Sequence, residues 1–348
     1  MNSPSYSVAF VESPLQFLSA LEAHTSAISP ARATGEGQRR AAAPAGLGEL
    51  LIVARSQAKG MTSFLDAFDL GWLPDNVRVE REGAKHRILR DRPPERIYLG
   101  DPCSGQMHKA LSLAYLERRL PEVVILDDGL ATYSTIDILS SPGGPLIRAR
   151  QTLKPSRRII AAYVADRLRG LAASGRLSWH TALPVPDALA AAFTATGAGI
   201  ATHRFDFLQT LPTGGSHPRD NPVIGSSLAA DGLISEARYR EWLEAIIDLG
   251  PITYYPHRRE TDEFLSALGT DPRVRIKHVG LPIELRLVNL PAESTIRSLP
   301  STAVVSLTVL NPDVTIDVTE IPADWWTGAA PDSLRTSLNS QTLKAAAS

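Results

Sequence analysis

Short runs of apolar residues recur along the chain, and most of them end in glycine, proline or charged residues. Runs of this length predict β-strands that are buried on both faces, as in a parallel sheet. The predicted strands are Ser7–Val11, Leu50–Val53, Arg96–Leu99, Val123–Leu126, Val223–Ile224, Ile252–Tyr255 and Arg273–His278. Helical patterns alternate with these strands, so the sequence predicts an α/β fold with parallel sheets.

Helix starts are marked by capping residues. Ser13 is suited to cap a helix that begins at Pro14, with Gln16 completing a capping box. A second helix is predicted over about Met107–Arg119, and a third, capped by Ser235, over Glu236–Leu249. In the third helix the apolar side is predicted to consist of Tyr239, Trp242, Leu243 and Ile246.

A polar stretch rich in glycine and proline, residues 211–221, interrupts this alternation. It predicts a linker between two domains, residues 1–212 and residues 221–328. A segment rich in Ala, Gly, Arg and Pro, about 29–46, is predicted to be a mobile insertion in the first domain. The polar residues 329–348 are predicted to form a frayed tail.

Composition narrows the class of protein. The chain has 348 residues, 43% of them hydrophobic, and a net charge of -1, which gives no electrostatic case for nucleic-acid binding. The one cysteine, Cys103, excludes an internal disulfide framework and fits a reducing compartment. Without a signal peptide or a long apolar segment, the expectation is a soluble, cytoplasmic protein.

The strand Val123–Leu126 runs directly into Asp127, Asp128 and Gly129. The carboxyl end of a parallel strand is where α/β proteins place groups that handle ligands. Adjacent carboxylates beside a core strand are costly unless they are solvated, paired or used. This motif is therefore the first candidate site, with capping of the next helix as the purely structural alternative.

Four further motifs follow predicted strands or begin predicted helices in the second half of the chain. They are Gly225-Ser226-Ser227, Pro256-His257, Pro282-Ile283-Glu284 and Ser301-Thr302. The last three of these, together with Asp127-Asp128-Gly129 and in their order and spacing, resemble the bacterial sialyltransferases and polysialyltransferases of the GT-B fold. Ser13–Gln16 and Leu99-Gly100-Asp101 resemble the same family.

One position departs from the family pattern. The family histidine is usually followed by proline, whereas Arg258 follows His257. A literal His-Pro pair occurs at His217-Pro218, but no strand precedes it and its distance from Glu284 does not fit. We therefore assign the family histidine to His257, and the Arg258 exchange leaves the identity of the donor open.

The resemblance implies two Rossmann-like domains facing each other across a cleft, with residues 1–212 on the acceptor side and residues 221–328 binding the nucleotide sugar. It implies inverting, metal-independent transfer of sialic acid, or a related nonulosonic acid, from its CMP donor. The acceptor would be a sugar hydroxyl of a cell-surface oligosaccharide or glycolipid, in capsule or surface polysaccharide biosynthesis. CMP-sialic acid is then a co-substrate and no cofactor is expected, while a peripheral association with the inner face of the membrane stays open.

Most site roles follow from the same resemblance, whereas the donor contacts of Gly225-Ser226-Ser227 and of Arg258 are expected from their positions after predicted strands. Asp128 is the expected base, Asp127 its support and the second choice, and Asp231 an alternative in the second domain. His257 would donate to the leaving phosphate, and Glu284 would accept from the ribose hydroxyls. The expected phosphate and donor contacts are Ser301, Thr302, Gly225, Ser226, Ser227, Pro282 and Arg258.

Two other functions stay open at this point. The first is a GT-B transferase that uses a different nucleotide sugar, which the exchange after His257 allows. The second is a catalytically inactive protein that binds a nucleotide within a polysaccharide locus. A metal site is not expected, because the eight histidines are scattered and none pairs with a carboxylate at a usual metal spacing.

Overall fold

The structure is a computed structural model. It describes residues 6–26, 48–55, 57–58, 60–83, 85–117, 121–129, 131–148, 151–211, 221–277, 280–332, 334–335 and 338. The predicted insertion at about 29–46 and the His217-Pro218 pair lie outside the described residues. The chain divides into two compact units, Met1–Leu211 (unit 1) and Pro212–Ser348 (unit 2).

Unit 1 contains seven strands and eight α-helices among its described residues. The strands are β1 (Tyr6–Val11), β2 (Glu49–Ala54), β3 (Val77–Arg81), β4 (Arg96–Leu99), β5 (Glu122–Leu126), β6 (Leu177–Thr181) and β7 (Gly199–Thr202). The helices are α1 (Pro14–Ser26), α2 (Met61–Ala67), α3 (Lys85–Asp91), α4 (Gly105–Glu117), α5 (Ala131–Ser140), α6 (Pro155–Ala173), α7 (Asp187–Ala195) and α8 (Asp206–Thr210).

The seven strands of unit 1 form one parallel sheet in the order β3-β2-β1-β4-β5-β6-β7. The order reverses direction between β1 and β4, which is the topological switch point where open α/β sheets bind ligands. Phe10 pairs with Leu99, and Leu99 pairs with Ile125. The residues that follow β1, β4 and β5 therefore leave the sheet at the same carboxyl edge.

Unit 2 repeats this plan on a smaller scale. Its strands are β8 (Asn221–Ile224), β9 (Ile252–Tyr255), β10 (Val274–Ile276), β11 (Thr295–Ser298) and β12 (Thr315–Val318). Its helices are α9 (Ser227–Ala230), α10 (Glu236–Ile247), α11 (Asp262–Leu268), α12 (Ile283–Arg286) and α13 (Thr302–Leu310). The parallel sheet has the order β10-β9-β8-β11-β12, so its switch point lies between β8 and β11.

Helix α10 shows how the sequence sets these elements. The Ser235 hydroxyl accepts a hydrogen bond from the Arg238 N–H at 3.4 Å and caps the first turn, as the sequence predicts. The predicted apolar side is buried in the core of unit 2, where Tyr239 stacks on Trp242 with 5.6 Å between ring centroids. Burial of such aromatic side chains supplies most of the stabilisation of a helix this short.

The predicted fold class is confirmed, and β4 and β9 have the predicted bounds. The strands that the sequence did not indicate are mainly those at the ends of the two sheets, such as β3, β7 and β12. Their side chains are largely exposed or half-buried, so they lack a continuous apolar run. Among the described residues, no helix combines the length and the apolar character required to cross a bilayer.

Candidate active site

The two carboxylates that follow β5 differ sharply in exposure. Asp127 is 1% exposed, whereas the side chain of Asp128 is 23% exposed. Both lie at the carboxyl edge of the unit 1 sheet, beside the switch point. Only Asp128 is open enough to contact a ligand directly.

Asp127 ties the end of β5 to the end of β6. Its carboxylate accepts hydrogen bonds from Trp179 Nε1 at 3.1 Å and from the Ala182 N–H at 2.8 Å. Burial raises the pKa of Asp127 to about 6, although these bonds and one from the Thr181 side chain oppose the rise. Its contacts are those of a residue that positions the turn carrying Asp128.

Two side chains from distant parts of unit 1 hold the Asp128 carboxylate. Gln16 Nε2 donates to Oδ1 at 2.7 Å, and Arg148 Nη2 donates to Oδ2 at 2.9 Å. Burial raises the pKa of Asp128 to about 6, with Arg148 opposing the rise and the neighbouring Asp101 reinforcing it. A carboxylate with this pKa is mostly ionised at neutral pH and is still basic enough to take a proton.

Arg148 also binds a second carboxylate, that of Asp101 after β4. The same Nη2 atom lies 2.9 Å from Asp101 Oδ2, while Oδ1 of Asp101 accepts from the Cys103 N–H at 2.9 Å. The guanidinium therefore partly neutralises two neighbouring acids, the buried Asp101 and the partly exposed Asp128. This is the arrangement that keeps Asp128 ionised beside another carboxylate.

A third acid, Glu12, follows β1 at the same edge. It accepts from Arg55 Nη1 at 3.0 Å, from the Ser104 hydroxyl at 2.9 Å and from Lys85 Nζ at 3.2 Å. Burial favours the neutral acid, but Lys85 and the bonds from Ser104 and Arg55 outweigh it, so the net pKa of Glu12 is lowered. Glu12 is thus an ionised anchor at the switch point.

Gln16 joins these acids into one hydrogen-bonded cluster. Its Oε1 accepts from the Glu12 N–H at 2.6 Å, while its Nε2 donates to Asp128. Ser13 Oγ accepts from the Gln16 N–H at 3.3 Å, as a capping box requires, but the side chain reaches Glu12 rather than Ser13. We call the cluster the acid network; its members are Glu12, Gln16, Arg55, Lys85, Asp101, Asp128 and Arg148.

Gly100 leaves the space that Gln16 occupies. A Cβ atom on residue 100 would lie 2.2 Å from Gln16 Oε1 and 2.9 Å from its Cγ. The Gln16 side chain is buried, so it has little room to move aside. Glycine after β4 is therefore a condition for the bond between Gln16 and Asp128.

Gly100→Ala is expected to lower the free energy of unfolding of unit 1 by roughly 1–3 kcal/mol, because it displaces the buried Gln16 amide from its two hydrogen-bond partners, the Glu12 N–H and the Asp128 carboxylate. Gly170→Ala is the matched control, since a Cβ at that position of α6 meets nothing within 4 Å. Chemical denaturation of both variants measures the difference. Equal stability of the two variants would contradict this explanation of Gly100.

In unit 2, the loop after β8 is held by a hydrogen bond to Tyr239 of α10. The Ser226 hydroxyl accepts from the Leu228 N–H at 3.3 Å and caps α9, and its own N–H donates to the Tyr239 hydroxyl at 3.0 Å. Ser226 is buried and Ser227 is half-buried. The predicted Gly225-Ser226-Ser227 loop thus lies at the switch point of the unit 2 sheet.

The loop after β9 is held against the β8 loop by Glu260. Its carboxylate accepts from the His257 N–H at 2.7 Å and from the hydroxyls of Tyr254 and Tyr239. Burial raises the pKa of Glu260 to about 7, opposed by these bonds. A Cβ on Gly225 would lie 2.3 Å from Glu260 Oε2 and 2.8 Å from the His257 N, so the two loops pack in direct contact.

His257 is half-buried at this edge. The Arg259 N–H donates to His257 Nδ1 at 3.3 Å, which leaves the proton of the neutral ring on Nε2. Arg258 is exposed, and Arg259 pairs with Asp231 at 2.6 Å. Asp231, the alternative base, is thereby engaged in an ion pair within unit 2.

The remaining residues predicted to bind the nucleotide donor lie at α12 and at the start of α13. Glu284 is buried in α12, where burial raises its pKa against an opposing bond from Ser306 of α13. Pro282 precedes α12, and Ser301 and Thr302 begin α13 half-buried. The Ser301 hydroxyl is buried and has no hydrogen-bond partner among the described residues.

Within unit 2 the structure brings Gly225, Ser226, His257 and Ser301 to one carboxyl edge, since Ile224 pairs with both Tyr255 and Ser298. The sequence did not indicate that Glu12 and Arg148 belong to the acid network, or that the Glu260 carboxylate joins the two loops of unit 2. For Glu12, the position after β1 was an available signal. No described group of three or more His, Cys, Asp or Glu side chains is arranged to hold a metal ion.

Comparison with known proteins gives likenesses in structure but not in sequence. No protein-family model matches this chain, and no curated protein sequence matches it. An α/β-galactoside α-2,3-sialyltransferase from the luminous marine bacterium Photobacterium phosphoreum matches with a TM-score of 0.53 and 9% identity. The match covers 91% of this chain and 99% of that enzyme.

A 2,6-sialyltransferase from a Photobacterium species of the Vibrionaceae matches with a TM-score of 0.54 and 11% identity, over 99% of this chain and 76% of that enzyme. Its structure is a ternary complex with the donor product CMP and the acceptor substrate lactose. At such identities the likeness concerns the fold. It bears out the predicted GT-B type of fold, with two Rossmann-like units.

Proposed function

We propose that this protein is an inverting, metal-independent glycosyltransferase that transfers sialic acid, or a related nonulosonic acid, from a CMP donor to a sugar hydroxyl of a cell-surface glycan. Unit 1 supplies the acceptor site and the base, and unit 2 supplies the donor site. The observation that carries the proposal is Asp128: a partly exposed carboxylate beside a switch point, held on both oxygens, with its pKa raised to about 6.

The chemistry needs one proton acceptor at the acceptor hydroxyl. As the new bond to the anomeric carbon forms, the hydroxyl proton passes to Asp128, and the bond from that carbon to the phosphate oxygen breaks. Gln16 and Arg148 fix the direction of the carboxylate, so little reorganisation is needed at the moment of transfer. A single displacement of this kind inverts the configuration.

The leaving CMP gains charge and needs hydrogen-bond donors. His257 carries its proton on Nε2 in the neutral ring, and Ser301, next to the start of α13, offers a hydroxyl that has no partner in the part of the chain that the structure describes. A helix N-terminus adds unpaired N–H groups and a favourable dipole for a phosphate. These groups support a nucleotide phosphate site at the carboxyl edge of the unit 2 sheet.

The two structural neighbours agree with this proposal. Both are bacterial sialyltransferases, and one of them was crystallised with CMP and lactose. Their likeness extends over more than nine-tenths of this chain, so it includes both units. The proposal therefore rests on the fold together with the chemistry of Asp128 and His257.

Nucleotide binding gives the direct test. Saturating CMP is expected to raise the melting temperature by several degrees, and UMP and GMP are expected to raise it by less than one degree, because ligands stabilise the state they bind. CMP release from CMP-sialic acid should then require a sugar acceptor. Stabilisation by UMP alone would instead indicate a transferase for another nucleotide sugar, and CMP binding without turnover on any acceptor would indicate an inactive nucleotide-binding protein.

A further inference from the structure

A cavity of about 570 Å³ opens in unit 1 next to the acid network. Its wall includes Arg55 after β2, Ser104 in the loop between β4 and α4, and the first residues of α4. The start of α6, with Arg157 and Ile160, forms another part of the wall. The acid network takes part in the proposed transfer, whereas that transfer does not use this cavity.

The charge of the cavity wall is positive. Arg55, Lys109 and Arg157 line it, and no carboxylate does so among the described residues. Arg55 is bound to Glu12, whereas Lys109 and Arg157 are exposed and form no ion pair with any part of the chain that the structure describes. Two of the three cations are therefore available to an anion from outside.

Helix α4 adds hydrogen-bond donors to the same wall. It begins at Gly105, and the N–H groups of Gly105 and Gln106 have no acceptor within the described ranges. A Cβ on Gly105 would meet nothing within 4 Å, so open space lies beside the helix start. A helix N-terminus with free N–H groups favours an anion.

His108 gives an independent sign of a missing partner. It lines the cavity and is only 3% exposed, yet its Nε2 has no hydrogen-bond partner among the described residues. Burial lowers the pKa of His108, opposed by a bond to the Pro102 carbonyl and by Asp101. Because the neutral ring donates its Nδ1–H to the Pro102 carbonyl, Nε2 carries a lone pair, and the group that completes its bonding is a donor such as a sugar hydroxyl rather than an anionic oxygen. The oxyanion is therefore assigned to Lys109, Arg157 and the N–H groups at the start of α4, and a hydroxyl of the same sugar chain to His108.

We infer that this cavity binds an oxyanion, carboxylate or phosphate, carried by the acceptor sugar chain. The cavity and the base belong to one hydrogen-bonded cluster, because Arg55 and Ser104 both donate to Glu12 and Gln16 connects Glu12 with Asp128. The inference rests on the proposed function, since it places the acceptor on unit 1. It specifies that function further: the acceptor is an acidic glycan rather than a neutral one.

Three acceptors test this: lactose, a lactose derivative with a carboxylate and a lactose derivative with a phosphate. Binding of each to the full-length protein without donor is measured by calorimetry, and kcat/KM is measured with CMP-sialic acid. We expect wild type to bind at least one acidic derivative about tenfold more tightly than lactose, as a charge-assisted contact allows. The preferred derivative distinguishes a carboxylate from a phosphate.

Lys109→Ala and Arg157→Ala are each expected to remove most of this tenfold preference in binding. Arg158→Ala is the matched control, because Arg158 is an exposed neighbour that does not line the cavity. Equal binding of all three acceptors by wild type, or loss of the preference in Arg158→Ala but not in Lys109→Ala, overturns the inference. Selective binding of an acidic acceptor that depends on Lys109, without any sugar transfer, supports the anion site and contradicts the proposed function. Sugar transfer without a preference for acidic acceptors supports the proposed function and contradicts the anion site.

Discussion

Asp128→Asn is expected to lower kcat/KM for sugar transfer by about 10²- to 10⁴-fold, the usual contribution of a general base. The asparagine oxygen can still accept from Gln16, and the exposed Arg148, which loses the oxygen replaced by the amide NH₂ group, keeps its ion pair with Asp101, so the fold of unit 1 should persist. What is lost is the site that takes the hydroxyl proton. Acceptor-dependent CMP release measures the rate, and circular dichroism checks the fold.

The pH dependence gives this prediction a second readout. Because burial raises the pKa of Asp128 to about 6, kcat/KM of the wild type should rise with pH up to about 6 and level off above it. Protonation below that pH removes the base. The residual activity of Asp128→Asn should lack this acidic limb.

Two further variants separate the base from its surroundings. Asp137→Asn changes the charge of an exposed residue on α5 and should leave the rate unchanged. Asp127→Asn places an amide NH₂ group against the N–H donors of Trp179 and Ala182. It should therefore lower the free energy of unfolding, while the transfer rate of the protein that remains folded changes little. A rate for Asp128→Asn close to that of Asp137→Asn would exclude Asp128 as the base.

The place of Asp128 in the candidate site could be predicted from the sequence because of its neighbours in the chain. An apolar run that predicts a buried parallel strand and then turns into two acids places those acids at the carboxyl edge of a sheet. The sequence alone did not separate the roles of the two. The difference arises from β6, whose Trp179 and following Ala182 N–H turn Asp127 inward.

The hydrogen-bond partners of Asp128 were harder to predict from the sequence, because only the order of the strands in the sheet brings them together. Gln16 follows β1 and Arg148 follows α5, so their distance along the chain contains no signal of contact. Gln16 was singled out for capping a helix, and its actual bonds to Glu12 and Asp128 depend on the open space at Gly100. Long-range hydrogen bonds of this kind need the tertiary fold.

Glu260 was missed for a related reason. It follows three charged or polar residues after β9, where the sequence pattern is typical of a solvated turn. The loop instead folds back so that the carboxylate is covered by Tyr239 and Tyr254, two side chains that were interpreted only as core residues. Hydrophobic periodicity places such tyrosines in the core but does not show where their hydroxyls are bonded.

Glu260→Ala is expected to lower the free energy of unfolding of unit 2 by roughly 2–5 kcal/mol. The variant leaves the His257 N–H and the Tyr254 hydroxyl without their acceptor and opens a cavity between two loops. The loop carrying His257 should then lose its contact with Gly225. Denaturant unfolding measures the stability, and the affinity for CMP reports on the loops.

The pH dependence of stability separates the effect of the Glu260 charge from the effect of its side-chain volume. The pKa of Glu260 is raised from 4.5 to about 7, so the folded protein binds more protons than the unfolded chain between these values. The contribution of this group to stability therefore falls as pH rises from about 4.5 to about 7 and is constant above. Glu260→Gln, which does not titrate, should remove that decline.

Glu244→Gln is the matched control, because Glu244 is an exposed residue on α10 and makes no side-chain bond to either loop. It should leave both the stability and the affinity for CMP unchanged. Glu260→Gln should retain more stability than Glu260→Ala, since its amide oxygen can still accept from the His257 N–H. If Glu260→Ala were as stable as Glu244→Gln, the carboxylate would not be what fixes the His257 loop, and the tyrosine pair alone would have to hold the two loops together.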